Sequence, residues 1–237
     1  MTASNHPSLN LLLLAGTAEA RQLGVALAKA GHRVTAWLTE PPRGSNPMPM
    51  AFEMRDPEDT TALLRDMAGF DAVLDLSHGF DAGLSHAGFA TAAALDKPFV
   101  SFARPGWTLD DPLLQSASDV PAAARAVPPG ACVFAATGWA SLPQFLPFEG
   151  ARLMLRQTSR HDRPAPYDFV DLIFGDPPFT VATETALFRE FGVDLLICRN
   201  LGGAASRPKV DAALALGLPV ILIEKPRLPR GALPDRP

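Results

Sequence analysis

Two apolar segments run straight into glycine turns that open helices, one near each end of the 237-residue chain. The first is Leu11-Leu12-Leu13-Leu14-Ala15-Gly16-Thr17-Ala18-Glu19-Ala20-Arg21, and the second is Leu195-Leu196-Ile197-Cys198-Arg199-Asn200-Leu201-Gly202-Gly203-Ala204-Ala205. An uninterrupted apolar run of this length fits a strand covered on both faces, which occurs where helices flank a parallel sheet. A glycine turn into a helix aims backbone N–H groups and the positive helix end at one point, a geometry that receives anions. The chain is thereby constrained to βαβ architecture, with ligands expected where strands end.

Apolar runs and helical spacings alternate along the whole chain, as a parallel sheet requires. Strands are expected at Leu9–Leu14, Val34–Leu38, Ala72–Leu76 and Phe99–Phe102. Helices are expected over Ala20–Ala30, Pro57–Met67 and Asp81–Leu95, with Thr39–Pro49 a Pro/Gly loop. Arg104-Pro105-Gly106-Trp107 reads as a boundary, giving domains 1–104 and 105–237. Beyond it the pattern gives helices Val120–Ala126, Leu142–Phe148, Val181–Phe191 and Ser206–Leu216. Strands are expected there at Cys132–Ala135, Arg152–Arg156, Phe169–Phe174, Asp194–Cys198 and Pro219–Ile223. The expected fold class is α/β, with two Rossmann-like parallel-sheet domains and an active site in the cleft between them. The tail from Pro226, rich in Pro and Arg, is expected to fray.

Composition narrows the function. A net charge of −4 disfavours nucleic acid, whose binders carry basic patches. Only four of the 21 basic residues are lysines. Arginine forks suit carboxylates and phosphates, although a GC-rich coding sequence is the better explanation of the excess. Cys132 and Cys198 lie in apolar runs and read as small buried hydrophobes rather than a disulfide. No Cys/His cluster has metal-ligand spacing, so no metal site is expected. The first nine residues lack a signal-peptide pattern and Leu11–Leu14 is too short to cross a membrane. A cytoplasmic protein is expected.

The chemistry-bearing residues fall at strand ends. Gly16-Thr17 lacks the full G-x-G-x-x-G pattern, since Leu14 and Glu19 occupy the outer positions. It serves as a phosphate turn or as a bare strand-to-helix junction. Arg21, one turn on, folds back on a phosphate or faces solvent. Glu40 stands where an acidic residue takes ribose hydroxyls, and Arg43 where a guanidinium takes a 2′-phosphate, so NADH and NADPH both remain open. His78 follows the third strand, as a proton donor or as a helix cap. Thr137-Gly138 and Asn200-Leu201-Gly202-Gly203 follow two later strands. Two enzyme classes are excluded. Tyr167, the one tyrosine, is followed four residues later by Asp171 instead of the lysine of a Tyr-x-x-x-Lys pair, and no G-x-S-x-G elbow occurs.

Six partial motifs in order complete a pattern: Ala15-Gly16-Thr17-Ala18-Glu19-Ala20-Arg21; Asp75-Leu76-Ser77-His78-Gly79-Phe80-Asp81; Arg104-Pro105-Gly106-Trp107; Thr137-Gly138; Pro177-Pro178-Phe179 with Glu184; and Arg199-Asn200-Leu201-Gly202-Gly203, followed by Lys209 and Ile223-Glu224-Lys225-Pro226. In this the chain resembles the precorrin-6A reductase family of cobalamin biosynthesis, from about Leu11 to Pro226. It departs from the family pattern at Ala15, Gly79, Leu201 and Gly175-Asp176. The resemblance implies hydride transfer from NADPH to a double bond of precorrin-6A, giving precorrin-6B. It implies cofactor contacts from Gly16, Thr17, Glu19, Arg21, Arg43, Thr137, Gly138, Asn200, Gly202 and Gly203. His78 is then the candidate proton donor, and Ser77, Arg104, Trp107 and Arg156 the candidate substrate contacts. Trp107 and Trp139 would pack on the macrocycle or in a core. The partner is a small tetrapyrrole, with neither nucleic acid nor membrane, and the chain is expected as a monomer or weak homo-oligomer. The alternatives are a cobalt-precorrin-6A reductase using NADH and a non-catalytic dinucleotide or tetrapyrrole sensor.

Overall fold

The computed structural model describes residues 7–42, 48–102 and 105–226. Arg43, Arg104 and nearly all of the tail lie outside them. Contacts divide the chain into two compact units, Met1–Ala103 with Pro226–Pro237, and Arg104–Lys225. Each contains one all-parallel sheet with helices between its strands, so the α/β class holds.

In the first unit the sheet order is β3-β2-β1-β4-β5, from β1 (Asn10–Ala15), β2 (Arg33–Leu38), β3 (Ala51–Met54), β4 (Ala72–Leu76) and β5 (Phe99–Ser101). Side chains of β1 alternate between two cores, as the period of two in a strand demands. Leu12 and Leu14 pack with Trp37, Leu63, Met67 and Leu84, on the side of α2 (Thr60–Met67) and α3 (Ala82–Ala94). Leu13 and Ala15 pack with Ala20 of α1 (Ala18–Lys29), Ala36 and Leu76 on the other. The continuous leucine run is thus explained by two-sided burial. Because β2 and β3 lie on one flank of β1 and β4 on the other, the sheet changes direction between β1 and β4.

In the second unit the order is β6-β11-β10-β7-β8-β9. Its strands are β6 (Leu114–Ala117), β7 (Cys132–Ala136), β8 (Arg152–Gln157), β9 (Val170–Phe174), β10 (Leu195–Arg199) and β11 (Val220–Ile223). One face packs Phe134, Met154, Leu196 and Leu222 against Phe188 of α5 (Val181–Glu190) and Val210 and Ala213 of α6 (Pro208–Ala215). The opposite face carries Val133, Ala135, Leu153 and Leu155, all buried, on the side of α4 (Val120–Arg125). This sheet changes direction between β7 and β10.

One expectation requires correction, and two strands are additional to those expected. The residues expected as helix Leu142–Phe148 lie partly in a 3-10 segment, Trp139–Phe145, which stops short of Pro147, a residue with no N–H to continue a helix. Strands β3 and β6 were not anticipated. Both are edge strands; β3 is exposed at all four positions, and β6 buries only its end residues Leu114 and Ala117, so neither carries a run of apolar residues.

Candidate functional site

Open parallel sheets bind ligands beyond the carboxyl ends of their strands, at the point where strand order reverses. Each unit brings expected residues to that point.

In the first unit Gly16 leaves β1 against the loop that leaves β4. A Cβ at Gly16 would lie 2.5 Å from the His78 backbone nitrogen, so only glycine lets the two loops meet. Thr17 caps α1: its hydroxyl accepts from Ala20 N at 3.2 Å and donates to the Leu76 carbonyl at 3.0 Å. The Thr17 side chain is therefore committed to joining the ends of β1 and β4. Glu19 is exposed and Arg21 half-buried on the first turn of α1. His78 is half-buried, and its Nδ1 accepts from Phe80 N at 3.3 Å, which leaves the neutral ring's proton on Nε2. Ser77 Oγ lies 3.2 Å from Ser85 Oγ. Asp75, 2% exposed, accepts from Ser85 Oγ, from Ser101 Oγ at 3.0 Å and from Ser77 N at 3.1 Å. That buried carboxylate organises the β4 edge. Its signal in the sequence is one acid inside an apolar strand. Thr39 Oγ1, at the end of β2, donates to Asp81 Oδ2 at 2.5 Å, and Asp81 also caps α3 through Leu84 N.

In the second unit Thr137 is fully buried, and Gly138 has a φ of +86°, a region that favours glycine. The Ser141 hydroxyl donates to the Gly138 carbonyl at 2.6 Å and sits 2.7 Å from Thr137 Oγ1. A Cβ at Gly138 would meet the Arg199 guanidinium at 3.7 Å, so the loops leaving β7 and β10 adjoin. The Asn200 carboxamide accepts from Trp107 N at 2.7 Å and donates to the Trp107 carbonyl at 3.2 Å. Trp107 Nε1 donates to the Gly203 carbonyl at 3.2 Å, and the ring packs against the core. Asn200 thus fastens the Trp107 segment to the β10 loop. Gly106 is required beside it, since a Cβ there would fall 2.8 Å from the Asn200 side chain. Gly202 and Gly203 follow with φ of +66° and +73°.

Arg156 points into the protein. Its Nη2 donates to Glu184 Oε2 at 3.0 Å, and its guanidinium lies over Phe134 and Phe179 at 5.0 and 4.2 Å. Glu184 is 1% exposed. Burial pushes the Glu184 carboxyl up, against the pull of Arg156 and Lys209. Burial also lowers Arg156 and Lys209, whose Nζ donates to the Ser206 carbonyl at 2.7 Å. The Cys198 thiol is pushed up to about 12 by burial, so it stays protonated and inert. Both cysteines are free. Among the described residues no group of His, Cys, Asp or Glu side chains is arranged to hold a metal, and no helix is long and apolar enough to cross a membrane.

A nicotinamide dinucleotide fits the first switch point on one structural ground: the Gly16 turn, where glycine lets the β1 and β4 loops meet, stands directly before the positive end of α1. Comparison with known proteins agrees in kind. The family model described as "Precorrin-6x reductase CbiJ/CobK" matches residues 10–235. The precorrin-6A reductase of Rhodococcus erythropolis is 30% identical, over 92% of this chain and 90% of that protein. The cobalt-precorrin-6A reductase of Priestia megaterium is 29% identical, over 94% and 93%. A solved structure, "CobK precorrin-6A reductase", superimposes with a TM-score of 0.83 at 29% identity, over 94% of this chain and 91% of that one.

Proposed function

The chain belongs to the precorrin-6x reductase family, and from that membership we propose that it reduces precorrin-6A to precorrin-6B with NADPH, as a step of cobalamin biosynthesis. The observation that carries this reading is the Gly16 turn, a strand end kept bare of side chain before a helix N-terminus, in a chain matched to the family over nearly its full length. Bound NADPH supplies a hydride, and one further proton completes the reduction of one double bond.

The roles of the chain's residues follow from chemistry. Gly16 and the first turn of α1, Glu19 included, hold the cofactor phosphates through backbone N–H groups, and Arg21 adds positive charge. Thr17 contributes by fixing that turn. Arg43, outside the described residues, takes the 2′-phosphate. Gly138, Gly202 and Gly203 present backbone, while Thr137 and Asn200 position it. His78 carries its ring proton on Nε2 and is the proposed proton donor. Ser77, Arg104 and Trp107 are proposed beside the substrate.

The test is NADPH oxidation by the purified protein with precorrin-6A, with NADH and cobalt-precorrin-6A run in parallel. Turnover with NADPH and the metal-free ring supports the proposal. Turnover only with NADH and the cobalt ring would transfer it to the reaction named for the Priestia relative. Cofactor binding without turnover of either ring would favour a sensor. His78→Ala should lower kcat by about 10²-fold or more with cofactor affinity held within a few-fold. An unchanged kcat would leave His78 as a loop residue only.

A further inference from the structure

The loop between β8 and β9 carries a polar and aromatic corner that the roles above do not use. Gln157 ends β8 and Phe174 ends β9, and the two are register partners in a parallel pair. Register partners present their side chains on the same face, and alternation sends Arg156 to the other. Gln157 therefore lies on the sheet face opposite the Arg156–Glu184 pair. His161, from the loop, sits between two rings on this edge, 4.8 Å from Trp139 and 5.4 Å from Phe174, edge-on to both.

Two donors in this corner lack partners. Gln157 is 7% exposed, and its Nε2 is buried with no hydrogen-bond partner. His161 Nδ1 accepts from Arg163 N at 3.2 Å, which places the neutral ring's proton on Nε2. His161 Nε2 is likewise buried and without a partner. A buried donor left unmatched is costly in a folded protein and calls for a missing acceptor. Flanking them, Arg160 lies over Phe174 at 6.0 Å and Arg163 over Trp139 at 5.9 Å. Both arginines are exposed, and neither has a carboxylate within 4.0 Å among the described residues, although Asp162 stands between them in sequence. Stacking fixes a guanidinium plane and leaves its edge N–H groups to face an incoming anion.

We infer that this corner is a binding site for a flat conjugated ring bearing carboxylates: Trp139, His161 and Phe174 supply the apolar wall, Gln157 and His161 the two neutral donors, and Arg160 and Arg163 the carboxylate clamps. The inference rests on the reading of the chain as a tetrapyrrole reductase and gives that substrate a particular seat. It also assigns the carboxylate grip to exposed arginines, since Arg156 is held by Glu184.

The test uses the full chain and two readouts. The first is direct binding of uroporphyrin, a polycarboxylated ring, followed by its own fluorescence anisotropy, with its uncharged methyl ester as control. The wild type should bind the acid and not the ester. The R160A/R163A double variant should weaken binding at least ten-fold, as expected for loss of charge-assisted hydrogen bonds. Both side chains are exposed, so folding should persist, and circular dichroism checks it. Equal affinity of wild type and double variant overturns the inference. The second readout is steady-state turnover of precorrin-6A. There the double variant and Gln157→Leu should raise KM for the ring with little change in cofactor affinity. If the wild type turns the ring over and neither variant moves KM, the seat is wrong while the reductase reading stands. If porphyrin binding depends on the arginines but no ring is turned over, the seat stands and the reductase reading falls.

Discussion

In the first unit the loops at the switch point are tied by hydroxyls, a buried aspartate and a glycine against backbone; in the second, the strands on the β8 and β9 side of the switch point carry a buried ion pair, stacked guanidiniums and rings. Both sheets are parallel and both reverse order beside the strands that carry the expected motifs. The difference lies in what each edge is built to receive. Backbone N–H groups before a helix suit a phosphate, which needs directional donors and little apolar surface. Rings with arginines on their faces suit a ligand that is both flat and anionic. On the proposed reading, shared topology positions two sites, and the side chains around them divide the labour.

The sharpest way to break this comparison is to remove charge from the second unit. Glu184→Ala strands the Arg156 guanidinium in the core, and breaking a buried pair on one side costs about 3–5 kcal/mol. Replacing both Arg156 and Glu184 by leucine should recover most of that loss, because the desolvation of both charges disappears together. Urea denaturation of the three proteins checks the ordering. A double variant no better than Glu184→Ala would mean the pair earns its place by something other than mutual neutralisation. The same pair predicts a pH dependence. Burial raises the folded carboxyl of Glu184 above its ordinary value of 4.5, so the folded chain holds that proton more tightly than the unfolded chain. The stabilisation from this group is complete below 4.5 and is lost as pH climbs through the raised folded value. The stability of the wild type minus that of Glu184→Gln should therefore fall as pH rises from 4.5. A difference that grows over the same window would show the attraction of Arg156 outweighing burial.

How much of this was legible in the sequence depends on whether a feature is local. Strands β1, β7 and β10 were readable because burial on both faces forces apolar runs, and β4 because only a single acid, Asp75, interrupts one. Strands β3 and β6 were not, because an edge strand answers to one neighbour and β3 is exposed throughout. The segment Trp139–Phe145 spaces its apolar residues as a helix does, and Pro147 just beyond it has no N–H to continue one. Among site residues, the Gly16 and Gly138 turns were legible since a strand, a glycine and a helix are adjacent in sequence. The Asp75 network was not: its partners Ser85 and Ser101 come from α3 and β5. Gln157 left a trace as an amide closing an apolar strand. The meeting of His161 with Trp139 and Phe174 left none, since it exists only once β7, β8 and β9 lie side by side.

A smaller effect tests the first unit at its narrowest point. Gly16→Ala places a methyl 2.5 Å from the His78 nitrogen, which forces the β1 and β4 loops apart. Overpacking of this kind costs about 1–3 kcal/mol. The proposed function adds a second expectation, that cofactor affinity falls at least ten-fold because the turn itself is displaced. Thermal denaturation and cofactor titration measure the two separately. Full affinity in the alanine variant would remove the Gly16 turn from cofactor binding.

The neighbouring residue separates backbone from side chain with the smallest effect of all. Thr17 has no hydrogen-bonding capacity to spare at its hydroxyl for a phosphate without surrendering one of two structural bonds, since it accepts from Ala20 N and donates to the Leu76 carbonyl. Losing an N-cap costs about 1 kcal/mol. Thr17→Ala should therefore lower stability by about that amount and leave cofactor affinity within a few-fold, the reverse of the balance at Gly16. Thr17→Ser keeps the hydroxyl and should restore the stability. If Thr17→Ala instead loses affinity more than stability, the hydroxyl reaches the cofactor directly, and the first unit grips with side chains as is proposed for the second. The contrast between the two edges would then be one of degree, with each combining backbone and side-chain donors.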